Sequence, residues 1–530
     1  MKQRSIIVLG ALLALLTLFT LVRSSPSIGF PRDEAVYFEA SRRHGAWFAS
    51  LAREPAKALS QKSRDRHFRF NNEHPPLMKS LAGVSARLLA RPPAAIEGQA
   101  PHAFAAGGGV LPVMSESAAM RLPAQTLAAL AVFLLFVAGA STARARPGAT
   151  PHRVLGAGLL AAGAFILLPR VAFHASLHCF DLPIAVALLA VVLAYQKGRS
   201  SLRWSLITAV ALGLAISIKH NALFVGPLLA VHHYASLWMQ RRQGRSLPRA
   251  AWLPPVLVLP ALIAPLVLWL SWPWLWSQPV DRLLDYFEFH ARHSYYNMEF
   301  LGANYNRPPL PIAHPFVMTW ATVPTTLLVL AFSGFVFASV KDVEPEPPAQ
   351  ATAPRFPRLR AGLLPHDAPS HERLLLAIFI LFPLLLIALP TVPIFGGTKH
   401  WLTAYPFMAL AAARGWVGLW ERVDVGPEAV RRVGPVAALA VVLLPAGWAT
   451  VHGHPYNLSQ YAPAVGGARG AARLGLNRGF WGYAAPALME AHAGGSQRVY
   501  LHDVHALAQL QYAREGRWPA GWKVNAPGRA

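Results

Sequence analysis

Runs of apolar residues long enough to cross a bilayer recur along the whole chain, and they leave it few alternatives to a helical membrane bundle. A helix needs about 20 apolar residues to cross the hydrocarbon core, and fewer where its polar ends reach the interface. Only 14% of the 530 residues are charged, against about 25% in typical soluble proteins. The sequence therefore predicts an all-α polytopic membrane protein. About eleven spans meet the length criterion: Ser5–Val22, Leu122–Ala140, Val154–Pro169, Leu182–Tyr195, Ser205–Ile218, Ala222–Trp238, Trp252–Ser271, Phe316–Val340, Leu374–Pro390, Trp401–Trp420 and Val433–Thr450.

The orientation of the spans follows from Lys and Arg, which give the chain a formal net charge of +25. These residues cluster at the amino terminus and in four segments between spans, and cytoplasmic loops carry such an excess. We therefore predict that these segments are cytoplasmic, and we do not expect nucleic-acid binding. The four segments are Arg144–Arg153, Lys197–Arg203, Arg241–Arg249 and Arg355–Arg373.

The predicted organisation is a transmembrane region over residues 1–450 and a small outward-facing α/β tail over residues 451–530. Two outward loops are long: residues 23–121, with helices on the membrane surface, and residues 272–315. The Pro-rich loop 341–373 is predicted to be cytoplasmic and disordered. The tail has a candidate strand at Arg498–His502 and a candidate helix at Ala506–Glu515. The length of the first apolar run favours an uncleaved helix over a signal peptide.

Carboxylates at the outward ends of apolar segments are candidates for chemistry, because charges near the membrane interior are costly to keep. Asp33 and Glu34 follow the first span and could take a proton from an acceptor; a solvated helix cap is the alternative. Asp181 opens the fourth span and could share a helical face with His174 and His178, or it could simply cap that helix.

A second outward motif is Asn71-Asn72-Glu73-His74-Pro75-Pro76-Leu77-Met78-Lys79. The prolines predict a helix that begins at Leu77. Anions are favoured just before a helix begins, so Glu73, His74 and Lys79 are candidates for a substrate site. Glu73 could also ligate a metal ion, although an ordinary helix cap is the alternative.

Cations at outward helix ends run against the positive-inside bias and suggest an anionic ligand. They are Arg121, Lys219 with His220, and Lys399 with His400. A lipid-linked phosphate is a natural partner for such groups. Contact with lipid headgroups is the alternative for each of them.

Aromatic residues and histidines are dense in the outward loop 272–315. Trp272-Pro273-Trp274-Leu275-Trp276 is followed by His290, His293, Tyr295 and Tyr296. Flat aromatic faces can stack on sugar rings, but an interfacial belt is the default interpretation. His290 and His293 are further site candidates, and His293, like Glu73, could ligate a divalent metal.

The order of these motifs resembles the GT-C superfamily of membrane glycosyltransferases. The resemblance is to the family 39 group, which includes protein O-mannosyltransferases and lipid A aminoarabinose transferases. It rests on the acidic pair after span one, Glu73-His74-Pro75-Pro76-Leu77, and the openings of spans two and four. The tail adds His454-Pro455-Tyr456-Asn457-Leu458-Ser459-Gln460-Tyr461, Gly466-Gly467-Ala468-Arg469-Gly470-Ala471 and Phe480-Trp481-Gly482.

The resemblance implies roles for several residues. Asp33 matches the essential acidic residue of the first outward loop, and Asp181 matches a second acidic position near the cavity. Glu73 matches a glutamate near the lipid phosphate or a metal ion. His74 stands where aminoarabinose transferases usually have Lys, and Lys399 where relatives often have Arg.

The resemblance also implies an activity. The expected enzyme transfers a sugar from a polyprenyl-phosphate donor to a lipid, protein or glycan acceptor on the outer face of a bacterial inner membrane. Direct displacement would invert the anomeric centre. A polytopic transporter or lipid flippase is the alternative function.

Overall fold

A computed structural model gives the fold of the chain and describes residues 1–95, 103–104, 107–146, 148–337, 369–394, 396–423, 428–476, 481–492, 494, 498–500 and 504–524. The described part is almost entirely helical. The first eight helices in chain order are α1 Gln3–Ser24, α2 Arg32–Arg53, α3 Pro55–Leu59, α4 Gln61–Phe68, α5 Leu77–Leu89, α6 Glu116–Arg144, α7 Pro151–Ile166 and α8 Pro169–Ala175.

The middle of the chain forms seven further described helices and a small hairpin. The helices are α9 Asp181–Gly198, α10 Leu202–Ile216, α11 Val225–Arg242, α12 Pro255–Ser271, α13 Pro279–Ala291, α14 His314–Thr322 and α15 Thr325–Val336. Strands β1 (Met298–Phe300) and β2 (Ala303–Tyr305) pair antiparallel between α13 and α14.

The last described helices are α16 Pro369–Ala388, α17 Tyr405–Val423, α18 Glu428–Gly453, α19 Gly467–Arg473, α20 Ala485–Ala491 and α21 Ala506–Arg514. Strands β3 (Arg498–Val499) and β4 (Lys523–Val524) pair in parallel in the tail. The predicted tail helix is therefore present. Much of the predicted disordered loop 341–373 lies outside the described residues, but its last part, from residue 369, is helical and belongs to α16.

Six described helical segments are long and apolar enough to cross a membrane, so the chain is a multi-pass membrane protein. Counting each of two bent helix pairs as one span raises the number to eight. The eleven predicted spans are thus confirmed only in part. The six are Gln3–Ser27, Glu116–Arg144, Asp181–Gly198, His220–Arg242, Arg249–Ser271 and His371–Ala388, and Leu202–Ile216 and Ala437–Gly453 are shorter apolar helices.

Proline accounts for both bent pairs. Helices α7 and α8 meet at 74°, and α14 and α15 meet at 115°. Pro169 occupies the first turn of α8, and Pro324 directly precedes α15. Proline has no N–H to donate and clashes with the preceding turn. A straight span is therefore disfavoured at either position.

Helix α2 carries the acidic pair Asp33 and Glu34 in its first turn, where carboxylates complement the helix dipole. It crosses α5 closely at two glycines, since a Cβ at Gly83 would collide with the Ser41 carbonyl and the Gly45 backbone. Its other side packs against α21. Helix α2 is therefore wedged inside the protein, although the sequence predicts surface helices in this loop.

The tail shares a hydrophobic cluster with the start of α2 and with α5. Phe30, Phe38, Ala86, Met489 and Tyr512 are all buried in it. The Tyr512 hydroxyl accepts a hydrogen bond of 2.7 Å from the Phe30 N–H. The Trp481 carbonyl accepts one of 2.9 Å from the Arg32 N–H. The tail thus supports the chain immediately before and at the acidic pair.

Candidate active site

A cavity of about 440 Å³ opens where six separate parts of the chain converge. They are the first turn of α2, the segment before α5, the start of α9, the link between α10 and α11, the end of α13 with the segment after it, and the segment before α17. Ten of the thirteen residues predicted for the site line it: Asp33, Glu73, His74, Asp181, Lys219, His220, His290, His293, Lys399 and His400.

The first feature of the cavity is an ion pair between Lys399 and Asp33, with 3.0 Å between Nζ and Oδ2. The Lys399 side chain is 5% exposed and that of Asp33 is 22% exposed. Burial opposes the charge of Lys399, but the carboxylates of Asp33 and Asp181 outweigh it and raise the pKa of the ammonium. Lys399 is therefore a fixed cation, and Asp33 keeps access to the cavity.

Glycine at position 396 makes room for this lysine. A Cβ there would overlap the aliphatic chain of Lys399. The ammonium also lies 4.2 Å from the centre of the Trp481 ring, in a cation–π contact with the tail. The lysine is therefore positioned by the backbone behind it and by an aromatic ring.

The second feature is an ion pair between Lys219 and Asp181, with 2.7 Å between Nζ and Oδ1. Asp181 is the first residue of α9, and Lys219 follows α10. Their side chains are 6% and 15% exposed. Asp181 does not cap α9, because Phe180 is the N-cap residue and no side chain makes a capping hydrogen bond there. Its carboxylate instead pairs with Lys219 and lines the cavity.

The cavity is balanced in charge. Its lining includes three cations, Arg32, Lys219 and Lys399, and three carboxylates, Asp33, Glu73 and Asp181. An anionic ligand would thus have to compete with carboxylates that already neutralise the cations. Binding of an anion to Lys219 or Lys399 would therefore release the carboxylate with which that lysine is paired.

Neutral histidines form one wall. Burial lowers the pKa of His290 to about 4 and that of His74 well below its usual value, and it lowers that of His400 as well. The rings of His220 and His290 lie 4.0 Å apart between centroids. At neutral pH His74, His290 and His400 are uncharged, so they suit hydroxyl groups better than phosphate.

Two predicted site residues, Glu34 and Arg121, form a buried pair behind the cavity wall rather than lining it. Arg121 Nη2 lies 2.6 Å from Glu34 Oε2, and both side chains are at most 1% exposed. The guanidinium also donates to the Ser25 carbonyl at 2.7 Å, and Glu34 accepts 2.7 Å from the His178 N–H. The pair ties the segment before α2 to the segment before α9.

Lys79 also stands behind the wall. Its ammonium donates to the carbonyls of Asn71 and His74, at 2.5 and 2.7 Å. Burial lowers its pKa to about 7, although the charge of Glu73 opposes the shift. This lysine shapes the segment that presents Glu73 and His74, and its side chain is only 1% exposed.

His174 and His178, which the sequence places on one face with Asp181, are buried and do not line the cavity. His178 Nε2 lies 2.8 Å from the Ser41 hydroxyl of α2. The predicted tryptophan cluster is structural in part, since Trp272 is 2% exposed and the Arg282 guanidinium lies 3.6 Å from the centre of the Trp274 ring.

Several residues that line the cavity were not predicted from the sequence. Arg32, Tyr37, Asn71 and Asn221 all face the cavity. Arg32 could have been predicted as a site residue, because it is an outward cation next to Asp33. Tyr37 lies one helical turn after Asp33, which a helix through the motif would have indicated. Burial, reinforced by nearby carboxylates, raises its pKa well above the usual value, so it remains a hydroxyl donor.

No group of three or more His, Cys, Asp or Glu side chains within the described ranges is arranged to hold a metal ion. Glu73 and His293, the two predicted candidates, both line the cavity. The Glu73 carboxylate accepts 2.7 Å from the Asn71 amide. Glu73 and His293 are two candidate ligands, whereas protein zinc sites usually provide three or four.

An apolar slot leads away from the cavity between α11 and α16. The slot shares Asn221, Phe224, Leu386 and His400 with the cavity. Beyond these residues it is lined by Leu188, Val225, Leu228, Phe379, Phe382, Pro383 and Thr403. The charged cavity thus opens onto a strip of lipid-like surface.

No family model matches the sequence, and no curated protein matches it. Solved structures do match. The structure of ArnT from Cupriavidus metallidurans bound to undecaprenyl phosphate has a TM-score of 0.50 and 12% sequence identity, over 99% of this chain and 86% of that chain. The apo structure of ArnT has a TM-score of 0.50 and 15% identity, over 98% and 86%. The chain shares the fold of these ArnT structures.

The GT-C fold predicted from the short motifs is thereby confirmed along nearly the whole chain. At this level of identity the likeness concerns the fold.

Proposed function

We propose that this chain is a membrane glycosyltransferase that moves a sugar from a polyprenyl-phosphate donor to an acceptor at the outer face of a bacterial inner membrane. One observation carries the proposal: two carboxylate–lysine pairs share a cavity that continues into an apolar slot. A polyprenyl-phosphate sugar has matching parts, a charged phosphate between a polar sugar and an apolar chain. The related fold of ArnT, solved with undecaprenyl phosphate, supports the same donor class.

The lysines are the proposed phosphate site. As the bond from the sugar C1 to the phosphate oxygen breaks, the electron pair and negative charge stay with the polyprenyl phosphate. Lys399 and Lys219 stabilise that charge, and preformed cations in a partly buried site do so without reorganising. Arg32 is the third cation within reach of the cavity.

Asp33 is the proposed base. The acceptor oxygen or nitrogen attacks C1 from the face opposite the phosphate, and its proton passes to the Asp33 carboxylate. A single displacement of this kind inverts the anomeric centre. Phosphate binding to Lys399 frees Asp33 from its ion pair, so the base becomes available when the donor arrives. Asp181 positions Lys219 and shares the electrostatic field of Lys399.

The uncharged histidines and Tyr37 are proposed to hold the sugar. Neutral imidazoles can donate and accept hydrogen bonds with hydroxyl groups. The acceptor is a lipid, protein or glycan hydroxyl or amine, and the sugar is a hexose or pentose.

The test uses Asp33→Asn in the purified full chain with a radiolabelled polyprenyl-phosphate sugar. The variant should keep its melting temperature and lose transfer by at least a hundredfold, in the range that a general base contributes. Glu54→Gln, on an exposed carboxylate of the same loop, should leave the rate unchanged. Retained transfer by Asp33→Asn would remove Asp33 from the mechanism. Movement of an intact lipid-linked sugar across a vesicle membrane without transfer would instead support the flippase alternative.

A further inference from the structure

A second cavity, of about 420 Å³, lies at the other end of the bundle, and we call it the distal groove. Its walls are the second half of α6, the end of α9, the start of α10, the start of α16 and the middle of α17. Asp181 lies at one end of α9 and Lys197 near the other, about 24 Å apart along the helix axis. The distal groove is therefore distinct from the candidate active site.

Most of the distal groove is apolar. Its walls include Leu134, Val137, Leu193, Ile207 and Leu376. Four of these residues belong to helices long and apolar enough to cross a membrane, and Ile207 belongs to a shorter apolar helix. A water-soluble ligand would gain little from such walls, whereas a hydrocarbon chain would bury its surface against them.

Three charged side chains line the groove: Lys197, Glu372 and Arg414. The Arg414 side chain is 8% exposed and forms an ion pair with Glu372 through Nη1. Its Nε is buried and has no hydrogen-bond acceptor within the described part of the chain. Buried guanidinium N–H groups normally have an acceptor. The missing acceptor therefore points to a ligand.

Lys197 adds a second cation to the groove. Its ammonium lies 4.3 Å from the centre of the Trp204 ring. Together Lys197, Arg414 and Glu372 leave a local charge of +1. A headgroup with one negative charge would balance it, and a zwitterionic headgroup would not.

We propose that the distal groove binds an anionic phospholipid, with an acyl chain along the apolar walls and the phosphate between Arg414 and Lys197. Arginine has five N–H donors in a planar fork, so Arg414 can serve Glu372 and a phosphate oxygen together. Lysines and arginines near a membrane surface attract anionic lipid in this way. The lipid comes from the leaflet on the side away from the candidate active site.

Native mass spectrometry of the full chain in detergent tests this binding. Phosphatidylglycerol should bind at least fivefold more tightly than phosphatidylcholine with the same acyl chains. Lys197→Gln should weaken phosphatidylglycerol binding about fivefold, the contribution of one such cation near a membrane surface. Lys197→Arg should preserve binding, and Glu372→Gln should strengthen it because the local charge rises.

The control is Lys57→Gln, at a lysine that is 73% exposed, which should leave phosphatidylglycerol binding unchanged. A photoactivatable phosphatidylglycerol should label peptides of α6, α9, α10, α16 or α17, which line the groove. Equal binding of the two lipids, no effect of Lys197→Gln, or labelling confined to other helices would each overturn the proposal. Absence of lipid binding by the unaltered chain would overturn it too.

Discussion

Lys399 and Asp33 lie 366 positions apart in the chain, and their side chains form an ion pair of 3.0 Å at the cavity wall. The pair joins the start of α2 to the segment before α17. It also holds the proposed base and a proposed phosphate ligand in mutual contact before the donor binds. A donor phosphate and the Asp33 carboxylate would therefore compete for the Lys399 ammonium.

Replacement of Lys399 should affect turnover more than donor binding. Lys399→Gln removes a cation that stabilises the leaving phosphate, and we expect kcat to fall about a hundredfold or more. Lys399→Arg keeps the charge and should retain part of the activity. The measurement is initial-rate transfer from a polyprenyl-phosphate sugar. Lys57→Gln, at a lysine that is 73% exposed, is the matched control, and equal rates in all four proteins would contradict the assignment.

Substitution at position 396 should disturb the same lysine without changing any charge. Gly396→Ala places a methyl group where the Lys399 side chain runs. We expect transfer to fall at least tenfold while the melting temperature shifts by only a few degrees, because the neighbour is a flexible side chain. Gly226→Ala meets nothing within 4 Å and serves as the control. A Gly396→Ala enzyme with full activity would show that the position of Lys399 is not critical.

A bulky residue at the entrance of the apolar slot should discriminate between donors by chain length. Leu386 lines both the cavity and the slot, so Leu386→Trp should raise KM for a long-chain polyprenyl donor more than for a short-chain one. Leu385, the next residue of α16, is 54% exposed, and Leu385→Trp should have no such effect. Equal changes in KM for both donors would argue against the slot as the site of the prenyl chain.

The buried pair of Glu34 and Arg121 should matter for stability. Glu34→Gln leaves the Arg121 guanidinium, 1% exposed, without its ionic partner. Breaking a buried pair in this way typically costs about 3–5 kcal/mol of the free energy of unfolding. Thermal unfolding in detergent measures the loss, with Glu54→Gln on an exposed pair as the control. Similar melting temperatures for both variants would contradict the structural role of Glu34.

Acid should destabilise the protein through His178. Burial lowers its pKa to about 3 in the folded state, whereas an unfolded histidine titrates near 6.5. Between those values the unfolded chain binds a proton that the folded chain does not, so stability rises with pH from about 3 to 6.5 and falls on acidification. His178→Gln should flatten that slope of melting temperature against pH. An unchanged slope would show that other groups govern the acid response.

The sequence predicted the membership of the cavity better than the number of spans. Asp33, Asp181 and Lys399 were identifiable because charges at the outward ends of apolar runs are rare and costly. The ion pairs could not be predicted from the sequence, because which lysine contacts which aspartate depends on how distant helices pack together. Glu34 shows the limit most clearly: adjacent residues at the start of a helix point about 100° apart, so Asp33 faces the cavity while Glu34 faces Arg121.

The span prediction is confirmed only in part, and Trp401–Trp420 is a predicted span that is not among the long apolar helices. The predicted span Trp401–Trp420 begins in a 3₁₀ segment, Gly397–Ala404, and continues in α17, which carries Arg414 and Glu421. A hydropathy average over the segment does not show that Arg414 forms an ion pair with Glu372 on the neighbouring helix α16. The bends at Pro169 and Pro324 were not predicted, because membrane helices tolerate proline and its presence alone does not show that a span breaks.

The contacts of Phe30 and Arg32 with Tyr512 and Trp481 have a consequence for biogenesis. The ribosome reaches positions 481 and 512 long after α2 has emerged. The corner that holds Asp33 therefore lacks these two tail contacts while the rest of the bundle is inserted into the bilayer, and only contacts such as those of Arg121 hold it. We expect a polypeptide released after α18 to be embedded in the membrane with this corner incompletely ordered.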